Sequence, residues 1–436
     1  MKNKKQILLL VVALLIFGSG AGCGKKTTTD KNKPVDTPAE EINLSMWGIY
    51  DDSSVFQPLI EEFNKANPNI KVSYTKKEYA DYEKLLVDSI AGDEGPDIFT
   101  IHNDWLPKHR AKLYPAPEDI ISLESYKDTF VDSAFQDLTA DGKIYAVPLY
   151  TDNLALFYNK DIFRKNRIYN APETWNDLIQ IAKLLTKTAP GNPNQITEGG
   201  IALGTADNVV RANDILLTIM MQTETPIISD DKRSFNFNQF RKNPDGTPYY
   251  PGEEALKFYT AFADPTKQAY SWSVSMDNAI HAFANGKVAM VLGYSYFTPM
   301  IEKLNPTLSF ATTKMPQVIG ADSDTTLANY WAWGVSKDSQ NKDAAWGFLE
   351  FLSQERASNK YLNATKKVSA HKESSSGTEI FGKQKDSAKT IYKGNSDEFD
   401  KIFTDMINDV VKYKQPYRTA IDTAARNANE MLKKYY

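Results

Sequence analysis

The strongest constraint on the fold is the alternation of short strand-like runs with amphipathic helical runs between Ile42 and Ile101. INLSMW alternates apolar and polar residues and ends at Trp47. Val55, Leu59, Ile60 and Phe63 then recur at helical spacing until Asn67-Pro68-Asn69 stops the run. IKVSYT reads as a second strand, and Tyr82, Leu85, Leu86, Ser89 and Ile90 mark a second helix face that ends at Gly92. Pro96 to Ile101 reads as a third strand. Strands joined through helices pair in parallel, so this stretch predicts βαβ units and an α/β class.

The same theme continues downstream. Tyr145–Tyr150, Leu154–Tyr158, Val288–Leu292 and Ala332–Ser336 read as strands. Thr174–Thr186, Val209–Gln222, Glu253–Phe262, Asp277–Ala284 and Lys342–Leu352 read as helices, and Phe399–Tyr435 is helix-rich. Asp231–Pro251 is polar and rich in Pro, Asn and Gly, which predicts a loop or hairpin excursion. No repeat of solenoid length is present. A chain of 436 residues exceeds what one hydrophobic core usually organises, so two domains are expected.

The N-terminus has a different character. Lys2, Lys4 and Lys5 precede an unbroken apolar run, Ile7 to Phe17, which is shorter than the about 20 residues a membrane span needs. Small residues follow up to Cys23, the single cysteine of the chain. This is the layout of an export signal over 1–22. Gly-Ala-Gly-Cys resembles the bacterial lipobox, although Gly20 stands where a Leu is usual; the resemblance implies a lipid on Cys23 and attachment to the outer face of the cell membrane. Ordinary secretion, with Cys23 removed or left free, is the alternative. Residues 23–41 lack apolar periodicity and read as a disordered tether. With one cysteine, no internal disulfide can form. The net charge of −4 argues against a nucleic-acid partner, which needs a concentrated basic patch.

Five segments in order carry a family resemblance. GDEGPDIFTIHNDWL (92–106), GKIYAVPLYTDNLALFYNKDIF (142–163), APETWNDLIQIAKLLT (171–186), AFANGKVAMVLGYSYF (282–297) and ANYWAWGVSKDSQNKDAAWGFLEFLS (328–353) resemble the extracellular solute-binding proteins of bacterial ABC sugar importers, the maltose-binding-protein-like family. The resemblance implies a two-lobe, periplasmic-binding-protein-like type II fold with a hinge of crossing strands. It implies a first lobe of 42–151 plus 332–378 and a second of 152–331 plus 379–436. It also implies a monomer that takes a small solute, a sugar, between the lobes and hands it to the importer's membrane subunits, with no cofactor and no resident metal.

A sugar site needs flat aromatic faces and a few groups for paired hydrogen bonds, and such groups collect beyond strand ends in α/β sheets. Trp47 ends the first strand, with Asp51 in the turn after it. Asp104 follows the third strand, where a helix-cap role is the alternative. Asp152 lies at the first expected crossover, where the resemblance implies an acidic cleft residue. Asn208 precedes a helix and serves equally as a cap. Tyr294 and Tyr296 follow the strand Val288–Leu292. Tyr330 and Trp331 lie at the second crossover; relatives there read Gly-Gly-Trp-Gly, with Trp331 at the tryptophan and Asn329 and Tyr330 replacing the glycines, which implies a reshaped pocket. Trp331 and Trp333 share a face two residues apart, so one of them is a core candidate. Trp272, in the loop YSWSVS, is a stacking-lid candidate, while Trp175, Trp346 and Phe348 fall on amphipathic helices and are assigned to the core.

Other classes fit less well. There is no Gly-x-Ser-x-Gly elbow, no His-Glu-x-x-His and no phosphate loop, and no segment pairs carboxylates as a glycoside hydrolase requires. His102, His109, His281 and His371 are scattered, and Asp322-Ser323-Asp324 lacks the spacing of a dedicated calcium loop. Two further binding readings stand beside the sugar: a cationic solute such as a polyamine, held by cation–π contacts and carboxylates, and a non-transport surface lipoprotein that grips glycan.

Overall fold

The computed structural model describes residues 40–321, 323–374 and 379–434. The export signal, Cys23, nearly all of the tether, Asp322 and the expected end of the first lobe at residue 378 lie outside the described residues.

Two sheets organise the chain. The first contains β1 (Ile42–Gly48), β2 (Ile70–Lys76), β3 (Ile98–His102), β4 (Leu113–Tyr114) and β5 (Val147–Pro148). The second contains β6 (Ala155–Asn159), β7 (Lys187–Ala189), β8 (Asn192–Ile201), β9 (Val288–Gly293) and β10 (Phe310–Lys314). The late strand β11 (Trp331–Ser336) returns to the first sheet. The orders are β2-β1-β3-β11-β4, with β5 also on β11, and β7-β8-β9-β6-β10. β1 pairs in parallel with β2 and β3, as the βαβ pattern predicts, whereas β11 runs antiparallel to β3. In the second sheet β8 and β9 are parallel, and β6 is antiparallel to β9 and β10. This is a two-lobe α/β fold.

Local sequence explains the helices that cover these sheets. Thr174 and Asp177 form a reciprocal capping box at the start of Trp175–Leu185, and that helix buries Trp175, Leu178, Ala182 and Leu185, all on one face. It lies so close to β8 that a Cβ on Gly200 would sit 2.1 Å from the carbonyl oxygen of Ala182. Only glycine permits that approach. Trp346 and Phe348 are fully buried on Lys342–Ser353, and Trp175 is nearly so. Burying each such side chain contributes about 1.5–3 kcal/mol.

Two hydrophobic cores result. One gathers side chains from Leu44 to Leu149 and from Ala328 to Leu362. The other gathers those from Leu154 to Leu327 and from Phe381 to Leu432. Tyr330 and Trp331 pack in the first core, so the expected change of lobe between residues 331 and 332 falls instead near Leu327 and Ala328. The segment between Leu362 and Tyr392 weaves: Val368, Phe381 and Tyr392 join the second core, and Ala370 and Ala388 the first.

The crossovers lie side by side. Val368–Ser369 pairs with Tyr150–Thr151, Thr326–Leu327 pairs with Ala388–Lys389, and Asn153 bridges to Ala328. Asn153 is fully buried; its amide donates to the Phe381 carbonyl at 2.9 Å and accepts from the Gln384 side chain at 2.6 Å. Ladders of two residues leave this hinge with few bonds to bend.

Candidate functional site

The alternation of β11 decides the first wall of the site. Trp331 and Trp333 project to one face and Tyr330 to the other. Trp333 packs against Phe56 at 5.4 Å and is core. Trp331, 7% exposed, meets Trp105, His102 and Tyr82 edge-on at 4.9, 5.2 and 6.0 Å. Above it stand Tyr50 and Tyr79, stacked at 5.7 Å, each with an edge contact to Trp331. Both are about half exposed, at 52% and 53%. Trp331 is therefore the buried pedestal of a platform whose accessible faces are tyrosines.

The second wall comes from the turn after β9 and the start of the helix Ala212–Gln222. Tyr296, 42% exposed, stacks on buried Tyr294 at 5.9 Å. The Tyr294 hydroxyl donates to Asp214 at 2.9 Å, and the Arg211 guanidinium lies 5.3 Å over the Tyr294 ring. The walls lie near one another: burial raises the Tyr50 phenol well above its usual range, and Tyr79, Tyr296 and Arg211 are all close enough to act on it electrostatically. Burial likewise pushes Tyr296 up to about 12, with Arg211 of the same wall opposing the rise and Tyr79 of the other wall adding to it.

A polar seam runs beneath the aromatics. His102 Nδ1 lies 2.5 Å from Asp104, and its Nε2 lies 3.1 Å from the Asn329 side-chain oxygen. Burial disfavours the charged imidazole, but Asp104 outweighs it, and the His102 pKa is raised. Burial likewise opposes ionisation of Asp104, and His102, Lys393 and Ser396 outweigh it, so its pKa is lowered. Asp104 also accepts from the Ser396 hydroxyl at 2.6 Å, which ties the turn after β3 of the first lobe to the helix Ser396–Val411 of the second. Lys393 holds Asp214 and Asp400, each at 2.9 Å. A cavity of about 350 Å³ adjoins Asp104 and is lined by Asn103, Asp137, Asp230, Lys232 and Tyr392.

The sequence candidates separate into three groups in this geometry. Asp104, Tyr296 and Trp331 come together at the cleft, with Tyr294 fully buried behind Tyr296 and its hydroxyl engaged by Asp214. Asp152 lies beside it, but its carboxylate accepts the Ser295 N–H at 3.0 Å, the Ser295 hydroxyl at 2.8 Å and the Asn153 N–H at 2.8 Å; burial pushes its pKa up to about 6. Trp47 is half-buried with the Lys77 ammonium 3.7 Å over its ring.

Four others have their polar atoms engaged inside the protein, contrary to the expectation that they face a solute. Asp51 pairs with Lys367 and accepts from Tyr361, both at 2.7 Å. Tyr330 is buried and donates to Asp137 at 2.6 Å. Trp272 is fully buried, neither lid nor surface, and its indole N–H donates to Asn208 at 3.2 Å. Asn208 in turn donates to the Ser273 and Met276 carbonyls, so it pins the loop that carries Trp272.

Sequence reasoning missed Tyr50, Tyr79, Arg211 and His102. Tyr50 lies in the turn where Asp51 drew attention as the charged residue. Arg211 had a readable signal, because a cation at a helix start opposes the helix dipole. Among the described residues no group of three His, Cys, Asp or Glu side chains could hold a metal ion, and no helix is long and apolar enough to cross a membrane.

The galactooligosaccharide-binding protein of Bacillus subtilis (strain 168) is 23% identical over 449 residues, covering 99% of each chain. The multiple sugar-binding protein of Streptococcus mutans is 22% identical over 370 residues, covering 83% of this chain and 82% of that one. The structure of the sugar-binding protein MalE from Xanthomonas citri superposes with a TM-score of 0.73 at 20% identity, over 90% of this chain and 98% of that one, which establishes a shared fold. Residues 48–358 match the family model for the bacterial extracellular solute-binding proteins, and the chain belongs to that family.

Proposed function

We propose that this protein is the carbohydrate receptor of an ABC importer, held at the outer face of the cell membrane by a lipid on Cys23. The observation that carries the reading is the pair of facing aromatic walls, Tyr50 and Tyr79 on one lobe and Tyr296 on the other. Their half-exposed rings suit the weakly apolar faces of a pyranose, and the polar seam below supplies hydrogen bonds to hydroxyls. The galactooligosaccharide-binding and multiple sugar-binding relatives support the same class of solute.

The solute touches both walls only when the lobes are together, so it shifts the population toward the closed arrangement. The importer's membrane subunits then receive the loaded, closed form. Binding rather than catalysis is the chemistry of the family. Asp214 and Asp400 are already paired with Arg211 and Lys393, so no net negative charge is left over there to hold a polyamine.

The test is a thermal-shift and calorimetric screen of the mature protein with galacto-, malto- and manno-oligosaccharides and with spermidine. The expected result is saturable stabilisation by at least one neutral oligosaccharide and none by spermidine. Stabilisation by spermidine alone overturns the reading. For the anchor, intact-mass analysis of membrane-extracted protein is expected to show acyl chains on an N-terminal Cys23, and an unmodified N-terminus removes that part of the proposal.

A further inference from the structure

Arg211 sits where the fold gains little from a cation. It immediately precedes the helix Ala212–Gln222, and its backbone is left-handed, with φ 65°. A positive charge at that end opposes the helix dipole, and non-glycine residues adopt this backbone region only sparingly. Arg211 forms an ion pair with Asp214 through one terminal nitrogen, while its Nε is buried without a hydrogen-bond partner. Asp214 has other support, from Lys393 and from the Tyr294 hydroxyl, each at 2.9 Å. A backbone conformation held against its preference, carrying an incompletely satisfied polar group, points to a function beyond stability.

The surroundings say what that function is. The guanidinium carbon lies 5.3 Å from the centre of the Tyr294 ring, and Tyr294 is stacked on exposed Tyr296. The ion pair with Asp214 and the Tyr294 ring thus hold the group near a ring that a sugar can cover. A planar guanidinium donates two parallel hydrogen bonds to neighbouring oxygens, a geometry that an ammonium cannot reproduce.

We propose that Arg211 orients the solute and sets its specificity, donating side by side to two adjacent hydroxyls of a pyranose stacked on Tyr296. The proposal rests on the carbohydrate reading and narrows it to neutral sugars that present a vicinal diol. Neutral rather than acidic follows from the local charges: Asp214 and Asp400 face Arg211 and Lys393, and Asp104 faces His102. No net positive charge is left over for a carboxylate.

The experiment is calorimetric titration of wild-type protein, Arg211→Lys and Arg211→Met with galactotriose, maltotetraose, mannotriose and, as the acidic arm, trigalacturonate. Melting temperatures without sugar are recorded in parallel. Both variants are expected to lose about tenfold or more in affinity for the neutral sugar that wild type binds, lysine included, because bidentate geometry and not charge is what is lost. The sugar-free melting temperature of Arg211→Met is expected to stay at or above that of wild type. An Arg211→Lys affinity equal to that of wild type overturns the proposal while leaving the carbohydrate reading in place. Tighter binding of trigalacturonate than of every neutral sugar overturns the assignment to a vicinal diol. Failure of wild type to bind any of the four overturns both readings together.

Discussion

Asp152 is a sharp test of the electrostatics beside the cleft. Its carboxyl is 6% exposed and accepts the Ser295 N–H, the Ser295 hydroxyl and the Asn153 N–H. Burial nevertheless dominates and pushes the pKa up to about 6 from an ordinary 3.8. Between those two values the folded protein binds a proton that the unfolded chain does not, so stability falls as pH rises through the window. The contribution is fully present below the unfolded value and lost above the folded one. A shift of roughly two units corresponds to about 3 kcal/mol. Asp152→Asn keeps the volume and one acceptor oxygen but cannot ionise. Urea unfolding followed by tryptophan fluorescence, at about pH 4 and about pH 7.5, isolates the effect as the difference between wild type and variant. The variant is expected to be the less stable protein at the acidic end, where altered hydrogen bonding costs about 1 kcal/mol, and to gain on wild type by roughly 2 to 3 kcal/mol on going to the alkaline end. Asp137, whose pKa burial also pushes up to about 6, titrates in both proteins and cancels. Parallel pH profiles would refute the reasoning, since they would mean that Asp152 is already solvated in the folded state.

Tyr79→Ala and Tyr50→Ala remove half-exposed rings and are expected to change stability by less than about 1 kcal/mol while weakening sugar binding about tenfold, read by calorimetry. Unchanged affinity in both would move the stacking surface elsewhere. Trp272→Phe keeps most of the buried ring but deletes the N–H that reaches Asn208, so a loss of about 1 kcal/mol with unaltered sugar affinity is expected. A selective loss of affinity would return Trp272 to the cleft.

The fold was legible wherever burial follows a period. β1 and the helices Ser53–Ala66 and Tyr82–Ala91 each present one apolar face that could be read directly, whereas β3, buried on both faces, was marked by its short apolar run. It failed where burial has no period. β8 begins Asn-Pro-Asn-Gln and exposes its first four residues, so its first half looks like a loop; it is held by the hairpin with β7 and by β9. The helix Glu355–Thr365 buries Ala357, Ser358, Tyr361 and Leu362, a face too small and polar to stand out. Residues beyond strand ends do converge in the structure, and it is there that the candidate site is proposed. Which of them are available was not legible, since that depends on partners far along the chain. Asp51 is neutralised by Lys367, 316 residues away, and Asn208 is saturated by carbonyls 65 and 68 residues away. Local sequence marks a carboxylate or an amide as polar; only the tertiary fold decides whether its hydrogen bonds are already made.

That distinction bears on how a cleft of this kind is triggered. The link across the seam that the geometry makes plainest is Ser396 to Asp104 at 2.6 Å, and Asp104 is charged and paired with His102. A hydrogen bond to a charged group nets about 1.5–3 kcal/mol, which favours closure only modestly once the order imposed on the hinge is counted. Moving such an equilibrium decisively takes a differential affinity of about 5.5 kcal/mol between the two states. The solute must therefore supply most of the bias, and it can do so only through groups that meet it from both sides. Tyr50 and Tyr79 stand on a buried tryptophan that cannot yield, and Tyr296 stands on a tyrosine fixed by Asp214 and Arg211. Each wall is rigid within its own lobe, while the hinge between them is pinned by ladders of two residues and the Asn153 contacts. On the proposed reading, stiff faces on a soft hinge would convert contact with a sugar ring into rotation of the lobes rather than into local side-chain adjustment.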